Sequence, residues 1–187
     1  MKLTAIIMAS GFSTRMKENK LKLKIDQKKM YEYSIDLVSQ YDFAEKILVS
    51  NDDEILSYAS SKGIKTFENP QAEIGKSSSI KIGVRHSAQD TKGYMFFVAD
   101  QPFLSLETVD KIVQKFIGNP KNITVPYYDG KRGAPMIFPR FLKDDLLQLK
   151  EDEGGVLLIP ENEMNPVSIQ DGREHFDIDT PTDYETI

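Results

Sequence analysis

The 187-residue sequence contains no cysteine, no tryptophan and only two histidines, His86 and His175. Without thiols there can be no disulfide, no thiolate nucleophile and no thiolate metal site. Two histidines so far apart in sequence also argue against a histidine-rich zinc centre. The metal ligands that remain are hard carboxylate oxygens, so a bound ion is expected to be Mg²⁺ or Mn²⁺ shared with substrate phosphates. Long hydrophobic runs are missing as well. The first apolar segment, Lys2 to Ala9, has the length of a strand, too short to span a bilayer and without the layout of a secretory signal. No membrane association is expected, and the expected location is cytoplasmic. Nor is there an excess of positive charge: 24 Lys and Arg against 29 Asp and Glu leave a formal charge of −5. Nucleic acid, which calls for a basic face, is therefore not an expected partner.

What is present suits an ordinary folded domain, with 40% hydrophobic and 28% charged residues and a length that favours one domain over residues 1–187. No repeat, low-complexity tract or linker interrupts it. Short β-rich runs alternate with helical stretches, the pattern of an α/β sheet with helices on its faces. Strands are expected at Leu3–Met8, Lys46–Ser50, Ile64–Phe67 and Tyr94–Ala99, the last a central strand covered on both sides. Helices are expected over Tyr31–Tyr41, from a cap at Asp52 or Asp53 to Ser61, over Ser77–Ser87, and from Ser105 to Phe116. Residues 10–29 read as a polar, lysine-rich connection. Asn122–Pro126 and Ala134–Phe138 read as strands flanking a hairpin loop, and Phe141–Leu149 and Gly155–Ile159 as helical. Val167–Ile169 and Phe176–Ile178 are expected to end the sheet, before a last helix opened by Pro181.

Two places carry chemistry. Ala9-Ser10-Gly11-Phe12-Ser13-Thr14-Arg15-Met16 follows the first strand directly, and its small residues let backbone N–H groups approach phosphate oxygens. From Arg15 to Lys24 stand five cations, Arg15, Lys17, Lys20, Lys22 and Lys24, against Glu18. That local charge suits a polyanion, though a solvated basic turn would look the same. Neither a Walker A loop nor a dinucleotide fingerprint is present. The second place is Asp100, which follows the most buried expected strand and precedes Gln101-Pro102. Ligands of open α/β sheets bind beyond the carboxyl ends of the strands, so Asp100 suits a metal ligand; the competing role is a cap for the helix that follows. Asp177 or Asp179 could complete such a site, and alternation puts both on one side of an extended strand.

These segments resemble a known family. Residues 6–23, IIMASGFSTRMKENKLKL, look like the L-A-A-G-x-S-x-R-M-G-x-x-K-x-L opening of MobA-like nucleotidyltransferases of the molybdopterin cytidylyl- and guanylyltransferase type. Gly75-Lys76-Ser77-Ser78-Ser79-Ile80 is similar to the G-x-S-x-S element of the cytidylyltransferase branch, and Ala99-Asp100-Gln101-Pro102 to the family's metal motif. Gly133-Ala134-Pro135-Met136-Ile137-Phe138 resembles G-x-P-x-x-F. Asp152-Glu153-Gly154-Gly155 resembles a glycine turn, and Asp177-Ile178-Asp179-Thr180-Pro181-Thr182-Asp183 the D-I-D-T-P-x-D ending. The matches run in the family's order from residue 6 to residue 183. Ser10 departs from it, standing where the cytidylyl branch has Ala and the guanylyl branch Gly; Lys17 replaces a Gly and Lys24 a Pro.

The resemblance implies a Rossmann-like three-layer α/β/α sandwich with a mostly parallel mixed sheet, of the nucleotide-diphospho-sugar transferase type. It implies transfer of a nucleoside monophosphate, CMP from CTP in preference to GMP from GTP, to a phosphorylated small molecule such as molybdopterin. A molybdoenzyme or its maturation factor is the implied protein partner. Nucleotide would be bound by Ala9, Ser10, Gly11, Phe12, Ser13, Lys20, Gly75, Ser77, Ser79 and Asp100. Arg15, Lys20 and Asp100 would be catalytic. Asp100 with Asp177 or Asp179 would hold Mg²⁺ or Mn²⁺, and Gly133 and Pro135 would face the acceptor. Tyr127, Tyr128 and Arg132 could grip the acceptor or form an exposed loop. His86 reads as a helix-end cation, and His175 as a surface residue in preference to one facing the site. Two other readings compete: a transferase for another small phosphate, and a non-catalytic nucleotide-binding chaperone.

Overall fold

The computed structural model describes residues 1–11, 19–159 and 163–176. In chain order the regular elements are β1 (Thr4–Ala9), β2 (Lys24–Ile25), β3 (Lys28–Lys29), α1 (Met30–Gln40), β4 (Glu45–Ser50), α2 (Asp53–Ser61), β5 (Lys65–Glu68) and α3 (Lys76–His86). Then come β6 (Gly93–Val98), α4 (Leu106–Gly118), β7 (Ile123–Tyr128), β8 (Lys131–Arg132), β9 (Met136–Pro139), α5 (Lys143–Gln148) and β10 (Met164–Ile169).

Among the described residues the main sheet runs β10-β7-β9-β6-β1-β4-β5, with β8 paired to β7. Strands β6, β1, β4 and β5 are mutually parallel, β10 is parallel to β7, and β9 is antiparallel to both β6 and β7. The sheet is thus mixed and mostly parallel, with helices on both faces, as the sequence predicts. Ala5, Ile7 and Ala9 of β1 join the core beneath α1, α2 and α4. Ile6 joins the opposite core with Ile80 and Val84 of α3 and Leu146 of α5. A strand covered on both faces must be apolar at every position, which is why β1 and β6 carry unbroken apolar runs. The approach of α3 to β1 is close: a Cβ on Gly83 would stand 2.5 Å from Ile6 Cγ2.

The connections fix where a ligand can sit. From β1 the chain passes through α1 to β4 and through α2 to β5, then returns through α3 to β6 on the other side of β1. The strand order therefore reverses between β1 and β6, and the crevice beyond their carboxyl ends is the switch point where open α/β sheets bind ligands. Met8 pairs with Val98 and Ala99 N donates to Met8 O at 3.2 Å, so the segments starting at Ser10 and Asp100 leave the sheet side by side.

Several expectations become specific. Asp52, not Asp53, caps α2, its carboxylate accepting from Glu54 N and Ile55 N. Ser105 caps α4 by accepting from Thr108 N at 3.1 Å. The connection after β1 is not featureless: it holds a 3-10 turn, Lys20–Lys22, and the β2–β3 ladder. The expected hairpin loop is mostly strand, since Tyr127 and Tyr128 pair with Arg132 and Lys131 across Asp129-Gly130. Only residues 143–148 of the expected 141–149 helix are α-helical, and Gly155–Leu158 is a 3-10 turn. The last strand is longer than expected, Met164–Ile169. Phe176 caps the 3-10 turn Gly172–His175 in an extended conformation; the rest of the expected strand, residues 177 and 178, and the expected helix from Pro181 lie outside the described residues. Among those described, no helix is long and apolar enough to cross a membrane.

Candidate active site

A cavity of about 460 Å³ opens beyond the ends of β1 and β6. One wall is the end of β1, where Ser10 and Gly11 line it. Ser10 is held there by its hydroxyl, which donates to Val49 O at 3.3 Å, while Ser50 Oγ donates to Ala9 O at 2.9 Å. Small residues let these two strand ends be tied together and keep the wall low. Beside it, the second wall is the end of β6, with Ala99 and Asp100.

Lys20 also lines the cavity and is held against the second wall. Its Nζ lies 2.7 Å from Asp100 Oδ2, with the side chains 16% and 22% exposed. Asp100 is therefore not the cap of α4, a role Ser105 fills. The 3-10 turn that carries Lys20 is pinned from behind. Asn19 Oδ1 accepts from Leu21 N, Leu21 is buried, and Lys22 Nζ pairs with Asp52 at 2.7 Å and Glu54 at 3.3 Å. The hydrogen bond from Lys22 to Asp52 raises the lysine pKa further above its ordinary range. Lys22 thus serves structure, while Arg15 and Lys17 of the same stretch lie outside the described residues.

The third wall is the start of α3 with the 152–155 turn. Gly75 (φ +112°) precedes the helix, and its Cβ, if present, would stand 2.7 Å from Asp152 Cα. Only glycine tolerates both the left-handed backbone and that approach. Lys76 N donates to Asp152 Oδ1 at 3.2 Å and Ser77 N to Glu151 O at 3.3 Å. Two segments 76 residues apart are in this way joined at the cavity. Ser79 lines the wall, its Oγ accepting from Asn69 Nδ2 at 3.0 Å. Ser77 is placed differently from the expectation: it is fully buried off the wall, and its Oγ has no partner among the described residues. Packing of α3 against the sheet turns that position inward.

Beside Asp100 a second cluster forms. Gln101 is buried, and its Nε2 lies 3.4 Å from His175 Nδ1. The His175 ring stacks on Tyr128 at 5.2 Å, and a Cβ on Gly133 would stand 2.7 Å from His175 Nδ1. His175 is thus not a surface residue; it is half-buried between strand ends. Tyr128 donates to Ala134 O at 2.8 Å, just before the cis bond to Pro135. Gly133 and Pro135 accordingly belong to this cluster, and Arg132 is exposed. The 172–176 turn is anchored by Glu174, whose carboxylate accepts from Ser105 N (3.0 Å), Ser105 Oγ (3.2 Å) and Thr108 Oγ1 (2.9 Å). His86 ends α3 and stacks on Phe67 at 4.0 Å.

Of the expected site residues, the structure brings Ser10, Gly11, Lys20, Gly75, Ser79 and Asp100 to one crevice; Ala9 is buried in the core instead. Phe12, Ser13, Arg15, Asp177 and Asp179 lie outside the described residues. Sequence reasoning missed Lys76, Glu73 and Asp152 as cavity residues. Lys76 had a signal, its place between Gly75 and Ser77 at a helix start; Asp152 reaches the cavity by a contact between distant segments that no local pattern announces.

The residues can be tested against a divalent ion. Asp100 offers a partly exposed carboxylate at a strand end. Among the described residues no group of three or more His, Cys, Asp or Glu is placed to hold a metal. One carboxylate beside space for phosphates is the donor set Mg²⁺ and Mn²⁺ use when they share substrate oxygens, so the residues fit such an ion.

A probable molybdenum cofactor guanylyltransferase of Natranaerobius thermophilus is 28% identical over 127 residues, 68% of this chain and 61% of that protein. The chain thus matches less than two thirds of that relative's length. The purine catabolism protein PucB of Bacillus subtilis is 25% identical over 202 residues, 99% of this chain and 95% of its own. Among solved structures, the Rv0371c protein of Mycobacterium tuberculosis in complex with manganese superposes with a TM-score of 0.79 at 22% identity, covering 100% of this chain and 97% of that one. The family model described as MobA-like NTP transferase domain matches residues 5–165, and the chain belongs to that family.

Proposed function

We propose that the chain, as one domain over residues 1–187, is a nucleotidyltransferase moving a nucleoside monophosphate from an NTP to a phosphorylated small molecule. The observation that carries this reading is the meeting of Gly11, Lys20 and Asp100 at one switch-point cavity. Backbone N–H groups after β1 would contact the nucleotide, Lys20 and Arg15 would neutralise its triphosphate, and the Gly75–Ser79 wall would receive the base. Asp100, with Asp177 or Asp179, would hold Mg²⁺ or Mn²⁺, which supplies charge neutralisation at the α-phosphate. The relative solved with manganese supports a divalent ion. An acceptor phosphate oxygen attacks the α-phosphorus, the bond to the β-phosphate oxygen breaks, and pyrophosphate leaves. The acceptor is already anionic at neutral pH, so no general base is needed; rate comes from positioning and electrostatics.

CTP is the proposed donor, because Gly75 and Ser79 of the cytidylyl-like element line the cavity. Molybdopterin is the proposed acceptor, supported by the family and by the molybdenum cofactor relative. GTP is the second reading, favoured by that relative's being a guanylyltransferase. Pyrophosphate release measured across the four NTPs with molybdopterin and other phosphorylated acceptors tests both. Release with CTP and molybdopterin is expected. Release with GTP alone would select the second reading, and release with none would leave a nucleotide-binding chaperone for a molybdoenzyme or its maturation factor.

A further inference from the structure

Glu54 stands on the first turn of α2 and does not line the cavity, yet three donors from residues 22–31 converge on it. Lys29 Nζ and Tyr31 OH donate to its Oε1, the tyrosine at 2.9 Å, and Lys22 Nζ lies 3.3 Å from its Oε2. These donors hold its carboxyl at about 2, Lys29 contributing most and Tyr31 next, so it is charged near neutral pH. One carboxylate thus grips the β2–β3 ladder at its entrance and at its exit, and the entrance is the 3-10 turn Lys20–Lys22. The same end of α2 is tied to the first wall: Asp52 N donates to Ser50 Oγ at 3.1 Å, and Ser50 Oγ to Ala9 O. The turn bearing Lys20 and the end of β1 are therefore both fixed to the start of α2. This clamp is too exposed to matter much for folding. The Lys22 and Glu54 side chains are 37% and 40% exposed, and ion pairs so placed contribute little stability. Position is another matter, since a displacement of about 1 Å at a reacting group can cost about a hundredfold in rate.

We infer that Glu54 is a positioning residue for Lys20: through Lys22 and Lys29 it holds the 3-10 turn where the Lys20 ammonium meets Asp100. Its bearing on catalysis rests on the nucleotidyl-transfer reading of the cavity, but the first arm of its test needs neither nucleotide nor turnover.

In that arm, acetylation by an N-hydroxysuccinimide ester is followed by mass spectrometry at Lys20 and, as a control, at Lys111 of α4. The proteins are the wild type, Glu54→Gln, Lys22→Met and Lys22→Arg. Thermal melts check that each is folded, and the two disruptive variants cover each other. Lys20, whose side chain is 16% exposed, should react at least about threefold faster in Glu54→Gln and Lys22→Met, through local loosening. Lys111 should react as in the wild type, and Lys22→Arg should keep Lys20 slow. Unchanged Lys20 reactivity in both disruptive variants would overturn the inference, as would an equal rise at Lys111, the mark of general loosening. The second arm is pyrophosphate release. Glu54→Gln should lower kcat/KM about tenfold, and should lower it no further in a Lys20→Met background. A full further loss there would overturn the inference, because Glu54 would then act without Lys20. A wild type that releases no pyrophosphate with any NTP would remove the transfer reading, while the acetylation result still decides whether Glu54 places Lys20.

Discussion

Gly75 and Asp152 are in backbone contact: a Cβ on Gly75 would stand 2.7 Å from the Asp152 Cα and 2.9 Å from its nitrogen. This contact holds the start of α3 against the 152–155 turn and so shapes one wall of the cavity. Gly75→Ala adds both a clash and a left-handed alanine at φ +112°, together about 2 kcal/mol. A Tm lower by about 4–8 °C is expected, with a raised KM for NTP as the wall shifts. Calorimetry and steady-state kinetics check the pair of effects; an unchanged KM would separate this wall from the nucleotide.

Two serines of the same helix turn should behave oppositely. Ser77 Oγ is fully buried without a partner among the described residues, so Ser77→Ala removes a desolvated hydroxyl and should leave Tm equal or higher, with KM unchanged. Ser79 lines the cavity, and its Oγ accepts from Asn69, leaving the hydroxyl proton for a base acceptor. Ser79→Ala should raise the NTP KM by roughly three- to tenfold, the worth of one hydrogen bond. Equal effects in the two variants would contradict this division.

Much of this was legible in the sequence. The apolar runs of β1 and β6, covered on both faces, announced a central parallel sheet, and Asp52 and Ser105 announced their helices as caps. The end of β1 and Asp100 could be named as partners because strand ends meet at a switch point. What was not legible depends on long-range packing. Apart from the family resemblance, which singles out Lys20, nothing local distinguishes Lys22, paired with Asp52 and Glu54, from Lys20, paired with Asp100. Likewise the residue pattern cannot show that helix packing turns Ser77 inward, or that His175 is drawn between Gln101, Gly133 and Tyr128.

Glu174 ties the 172–176 turn to the start of α4 by three hydrogen bonds. Glu174→Ala leaves the Ser105 N–H and the Thr108 hydroxyl without their acceptor and should cost about 2–3 kcal/mol. Glu174→Gln, which keeps one oxygen, should cost less than half as much. Urea denaturation of the three proteins checks this order; equal midpoints would show the turn to be docked by other contacts.

Acid should unfold the protein through its paired carboxylates. Lys29 and Tyr31 hold Glu54 well below its ordinary value of 4.5, at about 2. Burial opposes ionisation of Glu45, but Lys65, the Ala88 N–H and Thr4 outweigh it and lower its pKa. Asp36 is likewise lowered, burial being outweighed by Lys28, Lys62 and Tyr58. A carboxyl whose folded pKa is depressed stabilises the fold above its unfolded value and loses that contribution as pH falls toward the folded one. The urea midpoint should therefore be flat from about pH 7 to pH 5 and fall between about pH 5 and pH 2. Glu45→Gln should flatten that fall, and a midpoint that rises on acidification would contradict the assignment.

The most direct measurement is pyrophosphate release by Asp100→Asn, an isosteric change that removes the charge facing Lys20. The account predicts a loss of at least about a hundredfold at saturating CTP and Mg²⁺, with an unaltered far-ultraviolet spectrum and a Tm within a few degrees of wild type. Turnover near the wild-type rate in a folded Asp100→Asn protein would contradict it.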